Sequence, residues 1–360
     1  MAIIAALWAA LVALPAGAAP ALHVYNWSDY IAPDTIANFT KETGIAVTYD
    51  VYDGNEVLEA KLLAGHSGYD VVVPTAMPYM ARQIAAGAYL PLDKAKLPNL
   101  KNLDPAILAL VAAADPGNRY GVPYMWGVTG IGYNPALVAK ALGPDAPTDS
   151  LALLFDPANA EKLASCGISL LDTPEEVFPA AFSYLGIDPR SRDPADLDKA
   201  AAMLAKIRPY VRKFHSSEYI NDLANGDICA ALGYSGDVIQ ARNRAAEAGN
   251  GVAIVFRVPR EGAMMAVDMM GIPKDAPDPD NALAYIDYIL RPEVAAAITN
   301  AVSYPNPNLA ATPFVKPDIR DDPGIYPPEA VRKLFHGDVP APRDYERART
   351  RAWNRVKAGG

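Results

Sequence analysis

"LHVYNWSDYIAPDTIANFTKETGIAVTYDVYDGNEVLEAKLLAGHSGYDVVVPT", Leu22 to Thr75, decides the fold class. "LHVYN" reads as a strand. "PDTIANFTKETG" opens on Pro33 and Asp34, sets Ile36 and Phe39 on one helical face and closes on Gly44. "IAVTYDVY" alternates and is rich in β-branched residues, which predicts a second strand. "NEVLEAKLLAG" stacks Leu58 over Leu62 and stops at Gly65. "YDVVVP" is a continuous apolar strand of the kind covered on both faces. Repeated strand–helix units predict a parallel α/β sheet. Ligands on such sheets gather beyond the carboxyl ends of the strands. "WSDY" (Trp27, Ser28, Asp29, Tyr30) follows the first strand there, and Thr75 follows the third at the same edge. These residues read as a rim, not as a turn.

The 360 residues are 51% hydrophobic, enough to bury a large core, and the length predicts two lobes. A net charge of −9 and a pI near 5.0 argue against nucleic acid or an anionic membrane as partner and fit a small cationic ligand. The opening "MAIIAALWAALVALPAGAAPA" has an apolar run followed by Ala16-Gly17-Ala18, a small-x-small pattern. It reads as a signal peptide over residues 1–18, and its run to Leu14 is too short to span a bilayer. A periplasmic, soluble protein is expected. Its 33 prolines cluster in loops such as "PKDAPDPD" and "YPNPN". Cys166 and Cys229 are the two cysteines; in an exported chain they most simply bridge, the alternative being two buried thiols. The four histidines are scattered, so neither zinc nor heme spacing exists and no cofactor is expected.

Further along, "MWGVTGIGYNPALV" (Met125–Val138) reads as a strand crossing between lobes and stopped by Asn134-Pro135. Its glycines lack the spacing of a dinucleotide fingerprint. "SLLD", "EEVFPAAFSYLG", "DKAAAMLAKIRPYV" and "DICAALGYSGD" supply a second lobe, and "GVAIVFRVP" and "MMAVDMMGIP" cross back. The expected division is 19–127 with 248–302 for lobe 1, and 128–247 with 303–360 for lobe 2.

"GYSGDV" fails as a serine-hydrolase elbow, because Asp237 stands where glycine is needed. Asp237 reads as a helix N-cap or as a cleft carboxylate, the cap being the simpler reading of the residues alone. Glu176, in "LLDTPEEVF", reads first as an ordinary acid in a helix's first turn. Asp268, in "MMAVDMMG", is costly to bury unless something positive meets it. Four acids, Asp29, Glu176, Asp237 and Asp268, stand at strand ends with Trp27, Tyr30, Tyr234 and Tyr304, and with no nucleophile–base or metal-like cluster. Such a set suits an α,ω-diamine. Its ammoniums would take charge-assisted hydrogen bonds, and its methylenes would lie on ring faces, with cation–π attraction of ~0.5–2 kcal/mol.

"VYNWSDYIAPDTIANFTKETGI", "YDVVVPT", "PYMWGVTGIGYN", "PEEVF", "HSSEYINDLANGDICAALGYSGDV" and "DPGIYPPEAVR" closely resemble the putrescine-binding periplasmic proteins of polyamine ABC transporters, over about His23 to Lys357. The resemblance implies a two-lobed α/β type II periplasmic binding protein fold that closes on its ligand. It implies a monomeric receptor, not an enzyme, that captures putrescine, spermidine or a related polyamine and delivers it to a membrane permease. The implied pocket is Trp27, Ser28, Asp29, Tyr30, Glu176, Ser216, Asp237, Asp268 and Tyr304. Thr75 stands where the family has serine, Tyr234 where it has tryptophan and Ala266 where it has phenylalanine. That thinner wall predicts a preference broader than, or shifted from, putrescine. A Cys166–Cys229 disulfide is implied as well. The competing readings are a secreted carboxylate-dependent enzyme such as a glycosidase, and a sensor with the same binding but no transport. The basic tail "RDYERARTRAWNRVKAGG" reads as an ordinary terminal helix, with no role in binding nucleic acid.

Overall fold

A computed structural model describes residues 21–359; the signal peptide expected over 1–18 lies outside the described residues. The strands are β1 (Ala21–Trp27), β2 (Ala46–Tyr52), β3 (Val71–Val72), β4 (Gly121–Tyr133), β5 (Ile168–Leu170), β6 (Val211–Phe214), β7 (Ala230–Tyr234), β8 (Val255–Arg257), β9 (Ala263–Gly271) and β10 (Phe335–His336). They hydrogen-bond in the order β2-β1-β3-β9-β4-β7-β5-β6, with β8 on β4 and β10 on β9.

The opening stretch folds as read. β1 pairs in parallel with both β2 and β3. The helix Thr35–Thr43 buries Phe39 and ends on Gly44, whose φ of 74° turns its N–H back to the Thr40 carbonyl. The helix Asn55–Ala64 buries Leu58 and Leu62 against the sheet. β3 stops early because Pro74 has no N–H to give to a ladder.

Three packed cores form; a smaller one, with Tyr25, Tyr52, Leu58, Val72 and Met269, backs the first parallel set, and the two larger ones lie on either side of the middle of the sheet. One gathers Val24, Phe39, Val71, Tyr124 and Ile286; the other gathers Ile131, Phe155, Phe178, Leu232 and Trp353. β4 runs through both, with Met125 in the first and Val128 and Ile131 in the second. Its 13 residues reach about 43 Å at strand rise. Asn134 stops it by accepting from the N–H groups of Ala136 and Leu137 and starting the next helix.

The return crossing is made by β9, which pairs with β4 from Gly121 to Val128. "GVAIVFRVP" does not cross: β8 pairs with Ile131–Tyr133, and Ile254 and Phe256 pack in the second core. A third connection follows the helix Pro292–Val302, since Tyr304 packs in the first core and Ala311 in the second. Both parallel sets, β1–β3 and β5–β7, turn their carboxyl ends toward the space between the cores. Among the described residues no helix is long and apolar enough to cross a membrane.

Cys166 and Cys229 are joined, with Cα atoms 5.4 Å apart and 63 positions apart in sequence. The bond ties the turn before β5 to the start of β7, where the Cys229 N–H already donates to the Gly167 carbonyl at 3.0 Å. Closing a loop of that length in the unfolded chain is worth about 4 kcal/mol. Replacing both cysteines by alanine is expected to cost that order of stability in denaturant unfolding, with ligand affinity retained once the protein is folded.

Candidate functional site

Between the two cores lies a cavity of about 760 Å³, its mouth included. Trp27, Ser28, Tyr30 and Thr75 line it from the first parallel set, Glu176, Ser216, Tyr234 and Asp237 from the second, and Ala266, Asp268 and Tyr304 from the crossing segments. Of the residues expected there, only Asp29 is missing. It sits at φ 54° and turns outward, where its carboxylate pairs with Arg244 at 2.6 Å and its carbonyl accepts from Gln240 at 3.3 Å. Asp29 therefore joins the first core to the helix Ser235–Ala248 across the cavity mouth. The spacing in "WSDY" could not reveal this, because the positive φ at Asp29 reverses which side chains face inward.

Asp268 lies on β9, opposite Met125 of β4. Tyr30 donates to its Oδ2 and Thr75 to its Oδ1, both at 2.8 Å. Thr75 is oriented by Asn55, which accepts from its N–H and donates to its hydroxyl. One face of Asp268 opens on the cavity and protein surrounds the rest. That desolvation pushes its pKa up to about 6, against the lowering effect of the two hydroxyls.

Asp237 is not an N-cap. Tyr234 holds the capping position of the helix, and Asp237 in its first turn accepts from Tyr219 and Tyr304, each at 2.7 Å. Both tyrosines rest on glycine. A Cβ on Gly236 would fall 2.1 Å from the Tyr304 ring, and one on Gly233 would fall 2.4 Å from the Tyr219 ring. The glycines of "GYSGDV" that imitate a hydrolase elbow thus make room for the two phenols that hold the carboxylate. Burial raises Asp237 to about 6.

Glu176 also sits in the first turn of its helix, Pro174–Tyr184, and is only 5% exposed. Thr129 of β4 donates to its Oε2 at 2.5 Å. Desolvation, then the nearby acids Asp338, Glu175 and Asp268, push its pKa up to about 8 in spite of that bond. Among the described residues, none of these three carboxylates forms an ion pair with Lys, Arg or His.

The wall is aromatic and fixed. The Trp27 indole donates to the Val73 carbonyl at 2.8 Å, and Tyr30 meets Tyr304 edge-on at 4.7 Å between centroids. Ser216, in the loop after β6, is tied to the loop after β5, accepting from the Asp172 N–H and sharing a hydrogen bond with Thr173. Met77 and Met264 line the cavity along with Ala266. Sequence reasoning missed Asn55, Thr129, Tyr219 and Glu175. Only Glu175 carried a signal, as the other half of the acidic pair in "PEEVF".

The profile of the bacterial extracellular solute-binding proteins matches residues 34–327. The putrescine-binding periplasmic protein SpuD of Pseudomonas aeruginosa is 55% identical over 94% of this chain and 92% of its own length. The putrescine-binding periplasmic protein PotF of Escherichia coli is 56% identical over 94% and 91%. The spermidine/putrescine ABC transporter substrate-binding protein PotD of Streptococcus pneumoniae superimposes with a TM-score of 0.74 at 26% identity, over 94% of this chain and 99% of that one.

The raised acids have a cost in the empty protein. A carboxyl whose folded-state pKa exceeds its unfolded one supplies stability that is full below the unfolded value of ~4. That stability is lost as pH rises through about 6 for Asp237 and Asp268 and about 8 for Glu176. Glu176→Gln should therefore gain on the parent in thermal unfolding between pH 4.5 and pH 8.5, by a few degrees. A constant difference across that range would contradict the assignment. Gly236→Ala drives a methyl into the Tyr304 ring and is expected to destabilise by ~1–3 kcal/mol in denaturant unfolding.

Proposed function

This chain belongs to the bacterial extracellular solute-binding protein family, and on that premise we propose that it captures a polyamine in the periplasm and hands it to the membrane permease of an ABC transporter. One observation carries the reading: three desolvated acids, drawn from both cores, meet in an aromatic-walled cavity where, among the described residues, no Lys, Arg or His pairs with them. Each Asp oxygen takes one hydroxyl and keeps further acceptor capacity. One ammonium binds Asp268 and the other binds Asp237 with Glu176, while the methylenes lie on Trp27, Tyr30, Tyr234 and Tyr304. A ligand that touches both halves favours the closed arrangement over the open one, and closure is what the permease reads. The protein acts as a monomeric receptor that returns its ligand chemically unchanged. The relatives' names support a putrescine-like ligand, and Ala266 in the wall supports a preference that extends beyond putrescine.

Calorimetric competition among putrescine, cadaverine, spermidine and agmatine tests the reading, with mass spectrometry of the ligand recovered after long incubation. Binding of at least one polyamine and recovery of intact ligand are expected. A modified ligand would point back to an enzyme. Asp237→Asn and Asp268→Asn each leave an ammonium without its counter-charge, which should cost ~3–5 kcal/mol, at least a hundredfold in affinity. Tight, exclusive putrescine binding would mean that Met77 and Met264 fill the space beside Ala266, and would overturn the broader preference.

A further inference from the structure

The cavity has a neck. Asp53, Glu175 and Ser216 line it and also line a larger groove outside, which follows the helix Arg343–Ala358 past Glu56, Arg82 and Glu346. The neck is acidic from both sides: Asp53 and Glu56 come from the first core's elements, and Glu175 comes from the second's. Of the basic groups along the groove, Arg82, Lys357 and His215 have acidic neighbours, whereas Arg343 has none among the described residues. Arg82 pairs with Glu59 at 2.5 Å and, across the groove, with Glu346 at 3.1 Å. Lys357 pairs with Asp172 at 2.7 Å, and His215 lies 3.4 Å from Glu218 and 3.6 Å from Asp53.

Glu175 is incompletely satisfied. Arg349, itself 1% exposed, holds its Oε1 at 2.5 Å. Among the described residues its Oε2 has no partner, although the side chain is only 9% exposed. Glu56 accepts one hydrogen bond, from Tyr79 at 2.6 Å. Desolvation, and next the charge of Glu175, raise the Glu56 carboxyl above its ordinary range. Arg349 meets only one oxygen of Glu175, so Glu175 Oε2 and Glu56 still place negative charge near each other from opposite halves, an arrangement that a further cation would relieve.

We propose that this neck is a further ammonium site, in which Glu175 Oε2, Glu56 and Asp53 receive the additional charged nitrogen of a triamine whose other two nitrogens fill the inner cavity. Arg349 is the positioning residue that fixes Glu175 for this contact. The proposal rests on the inner cavity being a polyamine slot. It adds a reason for a longer chain to fit: the third charge leaves through the neck toward the groove and does not have to be buried among the aromatic rings.

Calorimetry on the whole protein tests it with putrescine, spermidine and N1-acetylspermidine, which keeps spermidine's length and putrescine spacing but lacks the extra charge. The parent protein should bind spermidine at least tenfold more tightly than the acetylated form. Glu56→Gln and Glu175→Gln should each lower the spermidine-to-putrescine affinity ratio at least tenfold. Equal binding of spermidine and its acetylated form overturns the proposal even if neither variant folds. So does an unchanged ratio in the folded variants, which would leave Glu175 as the structural partner of Arg349 alone. Binding of putrescine but not spermidine also overturns it, with the inner slot left standing. Binding of neither removes the polyamine reading itself.

Discussion

Three desolvated acid side chains with no Lys, Arg or His paired to them among the described residues are the constraint on which this structure depends. Burying such groups is unfavourable, and each is tolerated because hydroxyls are aimed at it: Tyr30 and Thr75 at Asp268, Tyr219 and Tyr304 at Asp237, Thr129 at Glu176. Neutral donors soften the penalty without cancelling the charge. A lysine in their place would have stabilised the fold by supplying the missing positive charge. The site is therefore poised at the expense of the unliganded protein, a common trade at sites that must bind charge.

The supporting structure follows from that need. Phenols can reach Asp237 only if the backbone beneath them carries no side chain, which fixes glycine at 233 and 236. Thr75 can serve Asp268 only if it is held in turn, which Asn55 does through two hydrogen bonds. Glu176 and Asp237 follow strands of the second parallel set and Asp268 lies on the crossing strand β9, so acids read from distant parts of the sequence meet without any long loop.

Much of this was legible in the sequence, for identifiable reasons. The alternation of "IAVTYDVY", the capping glycine after "FTKET" and the apolar "DVVVP" are local signals, and local hydrogen bonding obeyed them. Asp268 was readable because a carboxylate among methionines has few innocent explanations. What stayed hidden was set by geometry that no spacing encodes. Asp29 left the pocket because one backbone angle changed sign. Asp237 proved to be held by side chains 18 and 67 positions away, not by its own helix end. The crossing back was placed too early because "GVAIVFRVP" looks like a strand wherever it is put; only the pairing of β8 with the far half of β4 assigns its side. Tyr219 and Thr129 carried no signal at all, since a single hydroxyl inside a core strand or at the start of a helix is unremarkable until its partner is known.

The path of the chain, which passes from one core to the other at β4, at β9 and again after Tyr304, has a consequence for how the molecule is made. Neither half is a continuous stretch. The first core lacks β9 and the helices Pro279–Ile289 and Pro292–Val302 until roughly three hundred residues have been laid down, and the second lacks Trp353 until almost the last. A nascent chain threading out in order would thus hold apolar sheet faces open for most of its passage, with contacts far apart in sequence that form slowly. Neither core can be completed until residues near the carboxyl-terminal end are in place.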